Sequence, residues 1–175
     1  MSGSILLVAG PPGAGKSTVS ARVAARFERS VLLPTDDFQA WIARGFIEPW
    51  LAASYHQNTV IFHVAADAAA RFAEGGYDVV VDGVLGMWGL DPWRALHRPV
   101  SYALLLPEGT AARRRATERG EHPLKNLDVV DMMHAAFLAH LDGYERHVID
   151  STDQTIDETL AEVIRRADGG ELLLD

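Results

Sequence analysis

The sequence predicts an α/β fold built on a parallel sheet, and three observations carry that reading. Short apolar runs of strand length alternate with segments of helical periodicity along the chain, as in successive βαβ units. The first run, Ile-Leu-Leu-Val-Ala at 5–9, has no polar face, as expected of a strand covered on both sides of a parallel sheet. Between that run and the first helical segment lies Gly10-Pro11-Pro12-Gly13-Ala14-Gly15-Lys16-Ser17-Thr18, which has the spacing of a phosphate-binding loop.

The elements follow in order from their residues. Strands are expected at 5–9, 31–34, 78–82, 100–106 and 147–149, and helices at 16–28, 37–44, 54–74, 109–119, 128–142 and 155–167. In the first helix Val19, Val23, Ala24 and Phe27 recur at helical spacing, with Arg22, Arg26 and Glu28 on the other side. The pair Gly75-Gly76 ends the long central helix. In the tail, Gly169 to Asp175, a Leu triplet follows a glycine break. That tail reads as a frayed end, as a last strand, or as a contact in a homodimer. No repeat or low-complexity linker divides the chain, so residues 1–175 are expected to form one domain.

Composition narrows the partners. A chain of 175 residues with 48% hydrophobic residues can bury a sizeable core. With 24 acidic against 16 basic residues and a formal charge of −8, a broad footprint for nucleic acid is not expected, so an anionic ligand must be held locally. The absence of cysteine removes disulfides and thiolate chemistry and suits a reducing cytosol. The apolar runs are too short to span a membrane, and the N-terminus lacks the basic start of a secretion signal. A cytoplasmic protein with no membrane partner is expected.

The glycine loop carries the first piece of chemistry. Its glycines let successive N–H groups turn inward toward phosphate oxygens. Lys16, one of only two lysines, would reach the outer phosphates, and Ser17 would offer its hydroxyl to the magnesium ion that accompanies them. The helix that follows turns its positive end to the anion.

Ligands of open parallel sheets lie beyond the carboxyl ends of the strands, and three further strand ends supply polar residues there. After the second strand come Asp36 and Asp37. One could accept the proton of a hydroxyl attacking the terminal phosphate or orient that hydroxyl, and the other could cap the following helix. Asp36 is the preferred base, with Asp37 as cap, supporting or substrate-side group; the inverse assignment stays open. The third strand ends at Asp82-Gly83, the position that holds magnesium through water beside such a loop, although Asp-Gly also reads as a turn. After the fourth strand, Arg115 and Arg119 share a helix face just before a polar segment. They suit a mobile lid at about 119–128 that closes guanidinium groups on the phosphates, or a solvated helix end.

All four tryptophans, Trp41, Trp50, Trp88 and Trp93, fall between residues 41 and 93, with Phe38, Phe46 and Tyr55 among them. These segments border the side of the cleft away from the nucleotide. These aromatics, Trp41 and Trp50 among them, with Arg44, His56 and Gln57 nearby, would form a wall for a partly apolar acceptor, while plain core packing or a dimer contact is the alternative. The histidines show no His-x-x-x-His pairing, and His63, His134, His140 and His147 read as surface residues.

The order Gly10 to Thr18, Asp36-Asp37-Phe38, Val79 to Gly83, Arg115-x-x-x-Arg119 and Val148-Ile149-Asp150-Ser151-Thr152 before a helix resembles the small-molecule P-loop kinases of the chloramphenicol phosphotransferase, shikimate kinase and gluconate kinase type. The segments Glu48 to Trp50 and His56 to Asn58 are similar to those of uncharacterised bacterial proteins of that group. The resemblance implies a three-layer P-loop NTPase fold, with a five-stranded parallel sheet in the order 2-3-1-4-5 and helices on both faces. It further implies ATP with Mg²⁺ as donor, an arginine lid, and a base at Asp36. The expected activity is transfer of the γ-phosphate to a hydroxyl of a small metabolite or antibiotic-like molecule. The alternatives are an ATP-binding protein without transfer activity and a toxin-like kinase with a larger acceptor. A GTPase would need an Asn-Lys-x-Asp and an Asp-x-x-Gly, yet Lys125 sits in Leu-Lys-Asn-Leu-Asp and Asp82 begins Asp-Gly-Val-Leu-Gly.

Overall fold

The computed structural model describes residues 2–118 and 126–175. The strands are β1 (Ile5–Ala9), β2 (Ser30–Pro34), β3 (Asp78–Gly83), β4 (Ser101–Leu105) and β5 (Val148–Ile149). The α-helices are α1 (Lys16–Ala24), α2 (Thr35–Ala40), α3 (Tyr55–Glu74), α4 (Asp91–Arg94), α5 (Gly109–Thr117), α6 (Leu127–Ala139) and α7 (Ile156–Asp168). All five strands run parallel in the order β2-β3-β1-β4-β5, the order the resemblance implied.

Alternation along the central strands makes the three layers. Ile5, Leu7 and Ala9 of β1 join Val79 and Val81 of β3 and Tyr102 and Leu104 of β4 in a core shared with α3, Trp93 of α4 and Phe137 of α6. Leu6, Val8, Val80, Ala103 and Leu105 face the opposite way, against Val19 and Val23 of α1 and Val163 of α7. The inner stripe of α3 is Ala65, Ala66, Ala69 and Ala73, small enough for a long helix to lie close on the sheet. Tyr102 is fully buried and its hydroxyl donates to the Leu85 carbonyl at 2.8 Å, so burial raises its pKa and keeps the phenol protonated.

The differences from expectation have local causes. Helix α1 stops at Ala24, where Arg26 and Phe27 turn back onto the Val23 and Ala24 carbonyls in tighter bonds. Helix α2 begins directly after Pro34 and ends at Ala40, before the chain reverses at Gly45. Helix α4 was not expected: it is four residues long, opens on Asp91-Pro92, and exists chiefly to bury Trp93. Among the described residues no helix is long and apolar enough to cross a membrane.

The tail is a last strand in all but length. Tyr102 donates to the Leu172 carbonyl at 2.7 Å and Leu174 to the Val100 carbonyl at 2.9 Å, with Leu173 bridged antiparallel to Ser101. It covers the half of β4 that the two-residue β5 leaves open, and Leu172 is fully buried. Arg146 pairs with the Asp175 carboxylate at 2.7 Å, which lowers that carboxyl's pKa.

His147 corrects its reading as a surface residue, because only 2% of it is exposed. Its Nδ1 lies 3.1 Å from the Tyr102 carbonyl, and Arg146 donates to its Nε2 at 3.2 Å, so the ring is neutral with the proton on Nδ1. Burial lowers its pKa; the Tyr102 carbonyl and Asp175 oppose that shift, and Arg146 and Arg166 add to it. The unfolded chain therefore binds a proton, below about pH 6.5, that the folded chain resists. Stability should be full above about pH 7 and fall as the pH drops below about 6.5. Thermal melts across that range should show this slope, and His147→Gln, which can keep both hydrogen bonds, should remove it. An unchanged slope in His147→Gln would overturn the assignment.

Candidate active site

The strand order places β1 at the centre, with its loop flanked by the carboxyl ends of β3 and β4. The loop fits a phosphate chain sterically and electrostatically. At Gly13 the backbone has φ of +82°, and a Cβ there would lie 2.0 Å from the Ala112 carbonyl of α5, so only glycine lets the loop press against that helix. Helix α1 starts at Lys16 with no acidic residue in its first turn, leaving its positive end available to an anion. The Lys16 ammonium arches over the loop and donates to the Pro11 carbonyl at 3.0 Å. Gly10 and Pro11 are buried at the base of the loop, whereas Ser17 and Thr18 are exposed at its rim.

Register brings the acidic strand ends together. Asp82 of β3 is paired with Pro34 of β2 on one side and with Val8 of β1 on the other. Gly83 is not a turn residue: it closes β3, where a Cβ would meet the Thr35 hydroxyl at 2.1 Å. This close approach sets the first turn of α2 against the end of β3. Neither Asp36 nor Asp37 caps α2; both lie in its first turn, where their charge suits the helix dipole. Asp36 lines the cleft and Asp37 does not.

The cleft is a cavity of about 600 Å³ that joins Pro12, Lys16 and Ser17 of the loop to Asp36, Asp82 and an apolar chamber. The aromatic residues divide. Phe46, Trp50 and Trp88 line the chamber, Phe38 and Trp93 belong to the core, and Trp41 and Tyr55 stand on the surface at 70% and 76% exposure. Arg44 and His56 are exposed and do not line the chamber either. Sequence reasoning missed Gln39 and Phe62, and missed Val129, Met132, Met133 and Ala136 of α6. The signal was present in α6: Val129, Val130 and Phe137 are its buried residues, so Met132, Met133, Ala136 and Leu138 exceed what one core face needs.

The segment carrying Glu48 and Trp50 is fixed from below. Gln57 both donates to the Ile47 carbonyl at 2.7 Å and accepts from the Ile47 N–H at 2.9 Å, and the Pro49 carbonyl accepts from Asn58 at 2.8 Å and Ser54 at 2.9 Å. The start of α3 thus braces a loop that has no strand or helix of its own.

The arginines after β4 part company. Arg115 donates to the carbonyls of Ser151 at 2.7 Å and Thr152 at 3.0 Å, holding the turn after β5 instead of facing the chamber. Thr152 is bound in turn by the Glu108 N–H at 2.8 Å, so that turn is tied to both ends of α5. Arg113 pairs with Asp131 of α6. Arg119 and most of the expected lid, 119–125, lie outside the described residues.

Ser17 and Asp82 both line the cavity, and a hydroxyl and a carboxylate are oxygen donors of the kind a hard divalent cation takes. Among the described residues no group of three or more His, Cys, Asp or Glu could hold a metal. An ion here would take its remaining ligands from phosphate and water, as magnesium does.

In fold the chain is similar to an unliganded sugar kinase from a Janibacter species, with a TM-score of 0.71, 18% identity and 95% of each chain covered. It is similar to the tunicamycin resistance protein of Deinococcus radiodurans, with a TM-score of 0.66, 16% identity and 99% of each chain covered. A third likeness is to the Mycobacterium tuberculosis APS kinase in complex with AMPPNP and APS, with a TM-score of 0.63, 19% identity, and 95% of this chain and 98% of that one covered. At these identities the likeness is one of fold. Among curated proteins none matches the sequence. The family model that matches residues 5–144 is that of an AAA domain, and the chain belongs to that family.

Proposed function

We propose that residues 1–175 form one cytoplasmic kinase domain that transfers the γ-phosphate of ATP to a hydroxyl of a small molecule. The observation that carries this is a cavity of about 600 Å³ lined both by the phosphate-binding loop and Asp36 and by apolar side chains. The fold shared with a sugar kinase and with an APS kinase that holds AMPPNP supports it. A binding protein would not need a carboxylate in the cavity that joins the loop to apolar side chains.

The loop and Lys16 hold the phosphates, and Gly10, Pro12, Ala14 and Gly15 shape that cradle. Ser17 and Asp82 would hold magnesium, which when bound would neutralise charge on the phosphates. The acceptor oxygen attacks the γ-phosphorus. The new P–O bond forms as the bond to the β,γ-bridging oxygen breaks, ADP leaves with that electron pair, and the proton passes to Asp36 and then to water. Arg115 acts through the turn it holds, fixing Ser151 and Thr152, and Arg119 would add a guanidinium for the phosphates.

The test is an ADP-release screen over hydroxyl-bearing metabolites and antibiotics, with Asp36→Asn as control. A compound that raises ADP release in the wild type and not in Asp36→Asn identifies the acceptor. Tight ATP·Mg²⁺ binding with no stimulation by any acceptor would favour nucleotide binding without transfer.

A further inference from the structure

The chamber's chemistry names the class of acceptor. We infer, on the basis of the phosphotransferase reading, that the acceptor is an apolar alcohol bearing a cationic amine, with Glu48 as the residue that selects it.

Three observations converge. The chamber walls are Phe46, Trp50, Phe62, Trp88, Met132 and Met133, side chains that accommodate a ring or branched alkyl body. Apart from Asp36 and Asp82, the polar side chains that line the cavity beyond the phosphate loop are Thr35, Gln39, Glu48 and Asn58, and the Asn58 amide nitrogen is already given to the Pro49 carbonyl and Ser54, which leaves few partners for the several hydroxyls of a sugar.

The second observation is charge. Among the described residues the cavity is lined by Asp36, Glu48 and Asp82, while its one cation, Lys16, lies at the phosphate loop. Among the described residues that line the cavity, an acceptor with its own carboxylate or phosphate would meet three carboxylates and no guanidinium. The formal charge of −8 adds a long-range field that attracts cations and repels anions.

The third is the way Glu48 is held. The ion pairs among the described residues leave it out. Its own carbonyl accepts from Leu51 at 3.0 Å, and the residues on both sides of it are bonded to Gln57, Asn58 and Ser54. Glu48 is exposed on a braced loop, next to the proline that precedes Trp50, so its carboxylate can meet an ammonium group that the tryptophan face can also attract.

The experiment compares three probes that share a phenyl ring and a benzylic hydroxyl: 2-amino-1-phenylethanol, 1-phenylethanol and mandelate. Their binding to the full chain loaded with AMPPNP·Mg²⁺ is read by ligand-observed NMR titration. The amine should bind at least tenfold more tightly than mandelate, with the neutral alcohol between. Glu48→Gln should cost the amine most of that advantage and leave 1-phenylethanol unchanged. Equal or tighter binding of mandelate, an unaltered order in Glu48→Gln, or no binding of any probe to AMPPNP-loaded protein would each overturn the acceptor class. Failure of AMPPNP·Mg²⁺ to bind would instead strike at the phosphotransferase reading itself.

Discussion

Lys16→Ala should reduce phosphoryl transfer by at least about 10²–10³-fold, the usual cost of removing one preorganised donor to a developing charge, and should weaken ATP·Mg²⁺ binding. The ammonium sits 3.0 Å from the Pro11 carbonyl, arched over the loop where the outer phosphates would lie. Alanine leaves the glycine cradle intact, so the fold should survive and a thermal melt should show it. Lys16→Arg should rescue little, because the planar guanidinium is longer and cannot occupy the place of a compact ammonium above that carbonyl. Stopped-flow nucleotide binding and single-turnover kinetics separate the two losses. Wild-type transfer in Lys16→Ala would sink the assignment of the donor site.

Asp36→Asn should leave nucleotide affinity intact while lowering kcat by roughly 10²–10⁴-fold, the range for a positioned general base. The substitution is isosteric and preserves the first turn of α2, where Asp37 remains to complement the dipole. If the transition state is loose, the carboxylate chiefly orients the hydroxyl and the loss falls at the low end. Asp37→Asn should cost far less, because Asp37 does not line the cavity. A larger loss in Asp37→Asn than in Asp36→Asn would reverse the assignment that the sequence left open between them.

The geometry of the proposed donor half was legible because it is local. Loop, Lys16 and the start of α1 are contiguous, and the chemistry of a glycine turn at a helix N-terminus depends on little beyond those residues. Asp36 and Asp82 were legible because a parallel sheet delivers strand ends to one edge. The acceptor half was not, because its residues come from five separate segments and are sorted only by packing. Trp50 and Trp93 look alike in sequence, yet one faces the chamber and the other is buried by a helix of four residues. Arg115 and His56 were drawn to the site by residue type, and the fold directs one to the turn after β5 and leaves the other exposed at the start of α3.

By itself the sequence determined the layered α/β class, the phosphate loop and the acidic strand ends, because each is written in neighbouring residues or in the alternation of apolar runs. Only the tertiary structure decided which aromatic residues face the chamber, that α6 forms its far wall, that Gln57 and Asn58 brace Glu48, and that the tail completes the edge of β4. The physical reason is that burial is a property of the assembled layers: a side chain's neighbours are fixed when α3 and α6 settle on the sheet, not by the residues beside it in the chain.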